Sequence, residues 1–301
     1  MSQLVSPAQV ARAIGVSESS LKRWCDEGRL TATRTAGGHR RIAVDAVVRF
    51  VRNSGHRLVD PDILGLPATG GRGQRTIHRQ RRILMDAFRD GHADAATRSL
   101  LDLYLAGVPL AAVFDDVVRP VLAEIGESWA DGELEVYEER RGVEFLTHTM
   151  FELGRIMRQP DGPAAPLAVG GTLRDDPYTL APQMVNLTLR ECGYRSMYLG
   201  CGLPLETFPR AARNERPDLV WVCLSAAGLD EDAIVAGCRE LHAACDEVGG
   251  RLVVGGRSVT DSLRERLAIH AFCEDMSDLS EVASGYANST AGEKGDSGER
   301  P

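Results

Sequence analysis

Residues 15–42 read GVSESSLKRWCDEGRLTATRTAGGHRRI, and this stretch decides the fold of the amino-terminal part of the chain. Just before it, Ser6 is followed by a proline and, three positions on, by Gln9, the pattern of a capping box at the start of a helix. Gly15 is expected to end this first helix, and Ser17 to cap a second helix at once. Two short helices joined by a tight turn predict a helix-turn-helix.

The second helix and the segment after it carry the residues expected to contact DNA. Leu21 and Trp24 are predicted to face inward, which leaves the polar side chains of this helix on its outer side. The paired glycines Gly37 and Gly38 predict a tight hairpin with arginines on both sides, a wing over the phosphates. The expected DNA-contacting residues are Ser19, Ser20, Lys22, Arg23, Arg34, Thr35, His39, Arg40 and Arg41. For the helices alone, any small helical hairpin with a solvated basic surface is an equal alternative.

The wing favours the DNA-binding interpretation, because residues 4–53 as a whole resemble the MerR and excisionase-like winged helix family. The resemblance includes the recognition helix, the wing RTAGGHRR at residues 34–41 and the helix Val44–Val51 that follows it. Ile42 departs from the pattern, since many relatives carry an aromatic residue there. The resemblance implies a winged helix domain over residues 1–55 that binds double-stranded operator DNA.

The charge of the chain is unevenly distributed. The net charge is −8, yet residues 1–60 carry +5, so the remainder carries −13. A basic head on an acidic body fits DNA contact through the head alone. The chain lacks a run of 18 apolar residues and a signal-peptide pattern, and its seven cysteines are scattered without a CxxC pair. These features predict a cytoplasmic protein with no membrane contact and reduced cysteines.

The rest of the chain is predicted to form two further domains. At 301 residues with 43% hydrophobic composition, the chain is long and apolar enough to bury more than one core. Apolar residues recur at every fourth position of one segment: Val113, Val117, Val121, Ile125 and Trp129. This period predicts amphipathic helices, and four of them fit a bundle. From residue 167, short apolar runs alternate with amphipathic segments, which predicts an α/β domain with a parallel sheet.

The predicted architecture is therefore multidomain, with an α winged helix-turn-helix head, an all-α four-helix bundle and an α/β Rossmann-like sheet domain. The expected boundaries are residues 1–55 for the head, 56–75 for a linker, 76–160 for the bundle, 165–286 for the sheet domain and 287–301 for a disordered tail.

This order of domains resembles the CarH/LitR group of cobalamin-dependent photoreceptor repressors, which hold adenosylcobalamin between bundle and sheet. The family pattern in the bundle is a Trp, nine residues and then Glu-His. Here Trp129 is followed at that spacing by Glu139 and by Arg140 in place of the histidine. The resemblance implies that these residues lie at the upper face of the corrin. Taken alone, Trp129 fits a plain core position better than a ligand contact.

The sheet domain of the family carries D-x-H-x-x-G after its first strand, and its histidine binds cobalt. Asp176 matches this pattern here, whereas Tyr178 replaces the histidine and Ala181 replaces the glycine. A phenol, with a usual pKa of about 10, is a poor neutral donor to cobalt compared with imidazole. Ala181 adds a methyl group where the nucleotide tail needs a close backbone approach. Further pocket candidates at family positions are Ser225, Gly255 and Gly256.

These replacements predict a cobalamin-binding-like domain that has lost His-on binding, so no cofactor is expected in that mode. The leading interpretation is a non-enzymatic MerR-type regulator whose sensor-like module answers to an unknown small ligand or regulatory protein and self-associates as a dimer or larger. The first alternative is a light-responsive repressor that binds cobalamin base-on. The second alternative is a corrinoid-carrying methyltransferase subunit or a cobalamin-dependent mutase fragment, which the winged helix disfavours.

Two further patterns resemble parts of known ligand or metal sites. Gly170 and Gly171 lack the rest of a G-x-G-x-x-G fingerprint, so a sharp turn is favoured over a dinucleotide loop. Cys238, His242 and Cys245 share a helical face but have no fourth ligand nearby, so no metal site is expected.

Overall fold

The computed structural model describes residues 3–66, 74–132, 134–157, 160 and 165–296. The chain divides into two compact units, Met1–Arg158 and Gln159–Pro301.

The first unit begins with the winged helix-turn-helix. Its helices are α1 (Pro7–Ile14), α2 (Glu18–Asp26) and α3 (Val44–Ser54), and its strands are β1 (Leu4–Val5), β2 (Thr33–Arg34) and β3 (Arg40–Ala43). The strands form an antiparallel sheet in the order β1-β3-β2. The capping box is confirmed: the Ser6 hydroxyl accepts from the Gln9 backbone N–H, and the Gln9 side chain accepts from the Ser6 N–H. Gly15 ends α1 with φ 75°, a conformation that favours glycine.

The segment after α3 is part of the head and not a plain linker. A 3₁₀ turn over Pro61–Leu64 packs against α1, and Leu58, Leu64 and Leu66 are buried. The Val59 N–H donates to the Ala13 carbonyl. The predicted linker is therefore wrong for residues 56–66, because its scattered leucines find an apolar surface on α1. Residues 67–73 of that linker lie outside the described part of the chain.

A four-helix bundle completes the first unit. Its helices are α4 (Gln74–Asp90), α5 (Ala93–Leu105), a third helix made of α6 (Leu110–Val113), a π turn (Phe114–Val118) and α7 (Arg119–Ala130), and α8 (Val136–Ile156). The predicted apolar stripe is buried from Val113 to Ile125. Trp129 is 52% exposed, so its interpretation as plain core is wrong.

The head and the bundle are in contact through α3, which packs against α5 and α8. The Arg52 guanidinium lies 3.9 Å from the centroid of the Tyr104 ring and donates to the Tyr104 carbonyl oxygen. This arginine therefore ties the end of the DNA-binding head to the bundle through both a ring and a backbone acceptor.

The second unit is an α/β domain with five parallel strands in the order β5-β4-β6-β7-β8. The strands are β4 (Leu167–Thr172), β5 (Arg195–Tyr198), β6 (Leu219–Cys223), β7 (Arg251–Gly255) and β8 (Ala271–Cys273). The helices are α9 (Leu180–Glu191), α10 (Thr207–Glu215), α11 (Glu231–Val248), α12 (Asp261–Arg266) and α13 (Met276–Asp296). The alternation of short apolar runs and helices thus predicted the right architecture.

The sheet buries both of its faces, because successive strand residues point to opposite sides. On β6, Val220 and Val222 pack into one core with residues of α10, α11 and α12. Leu219 and Trp221 pack into a second core with residues of α9 and α13.

Helix α13 extends to Asp296 and so includes residues 287–296 of the tail that the sequence predicts to be disordered. Residues 297–301 of that tail lie outside the described part of the chain. Within the described residues, no helix is both long enough and apolar enough to cross a bilayer.

Candidate nucleic-acid interface and ligand pocket

The recognition helix α2 presents its charged side chains from a firmly packed base. Leu21 and Trp24 are buried, whereas Lys22 and Arg23 are exposed. The Trp24 ring packs on Phe50 of α3 at a centroid distance of 4.8 Å. Because the aromatic contact fixes the orientation of α2, the two cations project from a rigid helix face.

The predicted serines lie at the start of α2. The Ser17 hydroxyl accepts from the Ser20 N–H and lies 2.9 Å from the Ser19 hydroxyl and 3.0 Å from that of Ser20. Ser19 is exposed and Ser20 is half-buried. Both hydroxyls are therefore held near the helix start, where a phosphate would find backbone N–H donors.

The wing is the hairpin of β2 and β3. The Thr35 N–H donates to the His39 carbonyl, and the Gly38 N–H donates to the Thr35 carbonyl. The expected positive φ occurs at Gly38, at 77°. Arg34, Thr35 and His39 are exposed, and Arg41 is half-buried. The hairpin thus presents one exposed arginine, Arg34.

Arg40 has a different environment from the other predicted contact residues. Its guanidinium pairs with the Asp26 carboxylate at 2.5 Å, and its side chain is only 23% exposed. The pair joins β3 to the last residue of α2. We therefore infer that Arg40 positions the wing against the recognition helix, a role that its neighbours in the sequence could not reveal.

In the bundle, the three predicted pocket residues lie at the end of α7 and the start of α8. Trp129 is exposed, and Arg140 is exposed with its guanidinium 3.3 Å from the Glu139 carboxylate. Val136 and Tyr137 at the start of α8 are 54% and 64% exposed and were not predicted. This surface therefore combines apolar side chains with a fixed cation.

In the sheet domain, the Asp176 carboxylate organises the predicted pocket. Asp176 is fully buried. Its side chain accepts from the backbone N–H groups of Ser225 at 2.5 Å, Ala226 at 3.2 Å and Tyr178 at 3.2 Å. The carboxylate therefore joins the loop after β4 to the loop after β6, and it brings Tyr178 and Ser225 into one site.

The phenol ring of Tyr178, at the position of the resembled family's ligand histidine, is covered by an arginine. The Arg257 guanidinium lies 4.6 Å from the centroid of the Tyr178 ring, and its Nε donates to the Ser225 carbonyl at 2.8 Å. Sequence reasoning missed Arg257, although it directly follows the predicted Gly255 and Gly256. The phenol and its covering cation do not fit a cobalt ligand, because a neighbouring positive charge disfavours binding of a metal ion.

The sheet face beside β4 is filled by aromatic side chains. A Cβ atom on Gly170 would lie 2.3 Å from the Trp221 ring, and the Tyr198 and Trp221 rings stack at 6.0 Å. Ala181 packs against the same core. Burial raises the pKa of Tyr198 above its usual range. Within the described residues, the Trp221 indole nitrogen is buried without an acceptor.

The glycines of the sheet domain serve close packing. Gly170 and Gly171 lie inside β4 and not in a turn, so the sharp-turn interpretation is wrong. A Cβ atom on Gly255 would lie 2.6 Å from the Cys273 carbonyl oxygen, and one on Gly256, where φ is 119°, would lie 2.2 Å from that of Leu224. These glycines are required by the backbone around them, with or without a ligand.

Cys238, His242 and Cys245, which share a face of α11, lie in different surroundings in the structure. Cys238 and Cys245 are buried in the core, where burial raises their thiol pKa values to about 11 and about 12. His242 instead forms a cluster with Asp246 and His270, in which the three ligand atoms lie within 4.8 Å of one another. The Leu252 N–H donates to His270 Nδ1 at 2.9 Å, and His270 Nε2 lies 3.0 Å from the Asp246 carboxylate. His270 Nε2 thus carries the proton and donates it, which disfavours metal ligation by this nitrogen.

We expect the stability of the second unit to fall in mild acid because of His270. Burial is the largest cause and lowers its pKa; the hydrogen bond and charge of Asp246 oppose burial without cancelling it, and His242 and Arg251 lower the pKa by smaller amounts. As the pH falls, the imidazole is therefore protonated in the unfolded chain before it is protonated in the folded chain. The stabilisation is complete above the unfolded pKa of about 6.5 and is lost as the pH falls from there through the folded pKa.

Thermal unfolding followed by circular dichroism from pH 8 to pH 5 measures this effect. His270→Gln should flatten the profile, and His148→Gln, at an exposed position on α8, should leave it unchanged. A His270→Gln profile parallel to that of the wild type would contradict the assignment.

Two family models match the chain. Residues 4–55 match a helix-turn-helix domain, and residues 81–152 match a B12 binding domain. The chain is 28% identical over 286 residues to the HTH-type transcriptional repressor CarH of Myxococcus xanthus, a match that covers 87% of this chain and 92% of that protein. A solved structure, the monomethylamine corrinoid protein of Methanosarcina barkeri, shares the fold with a TM-score of 0.51 and 16% identity. That match covers 67% of this chain and 95% of the other.

Proposed function

We propose that this chain is a MerR-type transcription regulator that does not bind cobalamin through a histidine. It is a CarH-like regulator with a helix-turn-helix domain and a helical domain that matches the B12 binding family model. The similarity to a transcriptional repressor over most of the chain supports a DNA-binding transcription regulator. We further propose how the head binds DNA and what the carboxy-terminal module recognises.

The geometry of the head supports operator binding by α2 and the wing. Lys22 and Arg23 project from α2, and Arg34 from the wing, while Arg40 holds the two elements together through Asp26. Since one winged head covers one half-site, we propose that the protein binds its operator as a dimer or larger assembly.

The single observation that carries the loss of His-on cobalamin is the Tyr178 ring covered by Arg257. A phenol at this position offers no neutral nitrogen to cobalt, and the guanidinium over its ring adds a positive charge that would repel a metal cation held by this side chain. Ala181 and the stacked Tyr198 and Trp221 rings fill the adjacent sheet face, where a nucleotide tail would need room. The signal of this module is therefore proposed to be a different small ligand or a regulatory protein.

The second candidate is a light-responsive repressor that binds cobalamin base-on. It is favoured by the B12 binding domain match over residues 81–152 and by the exposed Trp129 side chain, which is free to cover a ligand. This candidate keeps the same DNA-binding head and differs only in the cofactor.

Absorbance spectra of the full chain mixed with adenosylcobalamin in the dark, and then desalted, test the proposal. We expect no retained corrinoid, no red-shifted His-on spectrum and the same DNA affinity in darkness and in light. A variant that combines Arg140→His, Tyr178→His and Ala181→Gly should retain more corrinoid than Tyr178→His alone, because each change restores a residue of the resembled family's pattern. Stoichiometric binding by the wild type with release of DNA on illumination would establish the base-on candidate instead.

A further inference from the structure

A cleft of about 430 Å³ opens at the carboxyl ends of β6 and β7. Its apolar wall is formed by Leu229, Ile234 and Leu263, and its polar side includes Arg257, Ser258 and Thr260. Ile234 and Leu263 belong to the core under α11 and α12, whereas Ala181 and the Tyr198–Trp221 stack belong to the core on the other sheet face. The cleft is therefore separate from the sheet face on which a nucleotide tail would need room.

We propose that this cleft binds a small organic anion, a carboxylate or phosphate group on a compact apolar body. The volume lies within the range of about 300–1,000 Å³ typical of small-molecule sites. Aliphatic walls favour an apolar body, and an arginine at the rim favours an oxyanion that can accept two parallel hydrogen bonds.

The charge of the cleft comes from Arg257. Its Nε donates to the Ser225 carbonyl, and among the described residues no acceptor is bonded to its two terminal amino groups. The one carboxylate in the lining, Glu231, is 3.0 Å from Arg266 and is therefore already paired. Asp176, behind the Ser225 loop, accepts from three backbone N–H groups. Arg257 thus retains a positive charge with donors available to a ligand.

Backbone donors in the rim strengthen this preference. The N–H groups of Ala227, Gly228 and Leu229 form no hydrogen bond among the described residues, although all three residues line the cleft. The neighbouring helix starts are already capped, by Asp230 for α11 and by Thr260 for α12. The donors that are open to a ligand therefore belong to the loop after β6 and to Arg257, and a bound oxyanion would replace water as their acceptor.

The site goes beyond the proposed loss of cobalamin binding and does not depend on it. Arg257 links the cleft to the position of Tyr178, because the same guanidinium lies over the Tyr178 ring and at the rim of the cleft. A ligand that binds Arg257 would thus alter the contact between Arg257 and Tyr178.

Ligand-observed NMR with the full chain tests the inference, using benzoate and phenyl phosphate as probes. Benzamide is the neutral counterpart of benzoate, and inorganic phosphate lacks the apolar body. We expect millimolar binding of at least one organic anion, and at least about tenfold weaker binding of benzamide and of inorganic phosphate. The stronger of the two organic anions identifies the preferred head group. Equal binding of benzoate and benzamide, with phenyl phosphate no tighter than inorganic phosphate, would overturn the inference, as would no binding of either anion.

Three variants locate the binding. Arg257→Gln should weaken it about tenfold or more, and Ala227→Trp, at an exposed rim position, should block it sterically. Arg264→Gln is the matched control, because this arginine also lies over an aromatic ring, that of Phe272 at 4.8 Å, but does not line the cleft. Unchanged binding in a folded Arg257→Gln protein or in Ala227→Trp, or an equal loss in Arg264→Gln, would place the anion elsewhere. Binding of adenosylcobalamin by the wild type would refute the proposed function and leave these outcomes unaffected.

Discussion

The combined substitution Lys22→Ala, Arg23→Ala and Arg34→Ala is expected to weaken operator binding about a hundredfold at 0.15 M salt. Each side chain is exposed on α2 or on the wing, where a phosphate oxygen can accept from it. The loss of three contacts worth about 1 kcal/mol each gives about this factor. The slope of log K against log salt should also become shallower by about 3, because each phosphate contact releases nearly one counterion.

Fluorescence anisotropy with a duplex selected from a random pool by the wild-type protein measures both quantities. The matched control removes three exposed arginines from the second unit: Arg210, Arg239 and Arg264. This control variant lowers the net charge by the same amount as the first triple variant, and it should leave the affinity for DNA within about threefold of the wild type. Equal losses in the two triple variants would show that overall charge, and not this surface, governs binding.

Local signals predicted the head well, since its determinants lie within a few residues of one another. The Ser6 and Gln9 capping box and the turn at Gly15 depend on neighbours three to nine positions apart, and the structure has each of them. The wing was predicted for the same reason. Arg40 shows the limit, because its partner Asp26 is 14 residues away and nothing in the wing sequence indicates an ion pair.

The periodicity of apolar residues predicted the bundle and the sheet, but it could not show which residues at the end of an apolar stripe are exposed. Trp129 continues the series of apolar residues at every fourth position. It lies at the end of α7, however, and is exposed, whereas the earlier members of the series are buried. In the ligand pocket, sequence reasoning found Tyr178 but not Arg257, which is far from it along the chain. Such contacts depend on which strand ends are neighbours, and this follows from the strand order and not from local pattern.

Removal of the Asp176 carboxylate is expected to destabilise the second unit by about 4 kcal/mol, because buried donors left without acceptors are penalised by about 1–3 kcal/mol each. Asp176→Ala leaves the buried N–H groups of Ser225 and Ala226 and the part-buried N–H of Tyr178 without their acceptor. The aspartate remains although the ligand histidine of the resembled family is replaced by Tyr178. Its three hydrogen bonds with backbone N–H groups give it a structural role that does not require cobalt.

Urea unfolding of the full chain, followed by circular dichroism, measures the change as a lower midpoint for the second unit. Asp175→Ala is the matched control, since the neighbouring carboxylate is exposed and its loss should change stability by no more than about 0.5 kcal/mol. Asp176→Asn should fall between the two, because an amide keeps one acceptor oxygen and introduces a buried NH₂ group. Similar midpoints for Asp175→Ala and Asp176→Ala would show that the joined loops do not depend on this carboxylate, and its retention would then need a ligand to explain it.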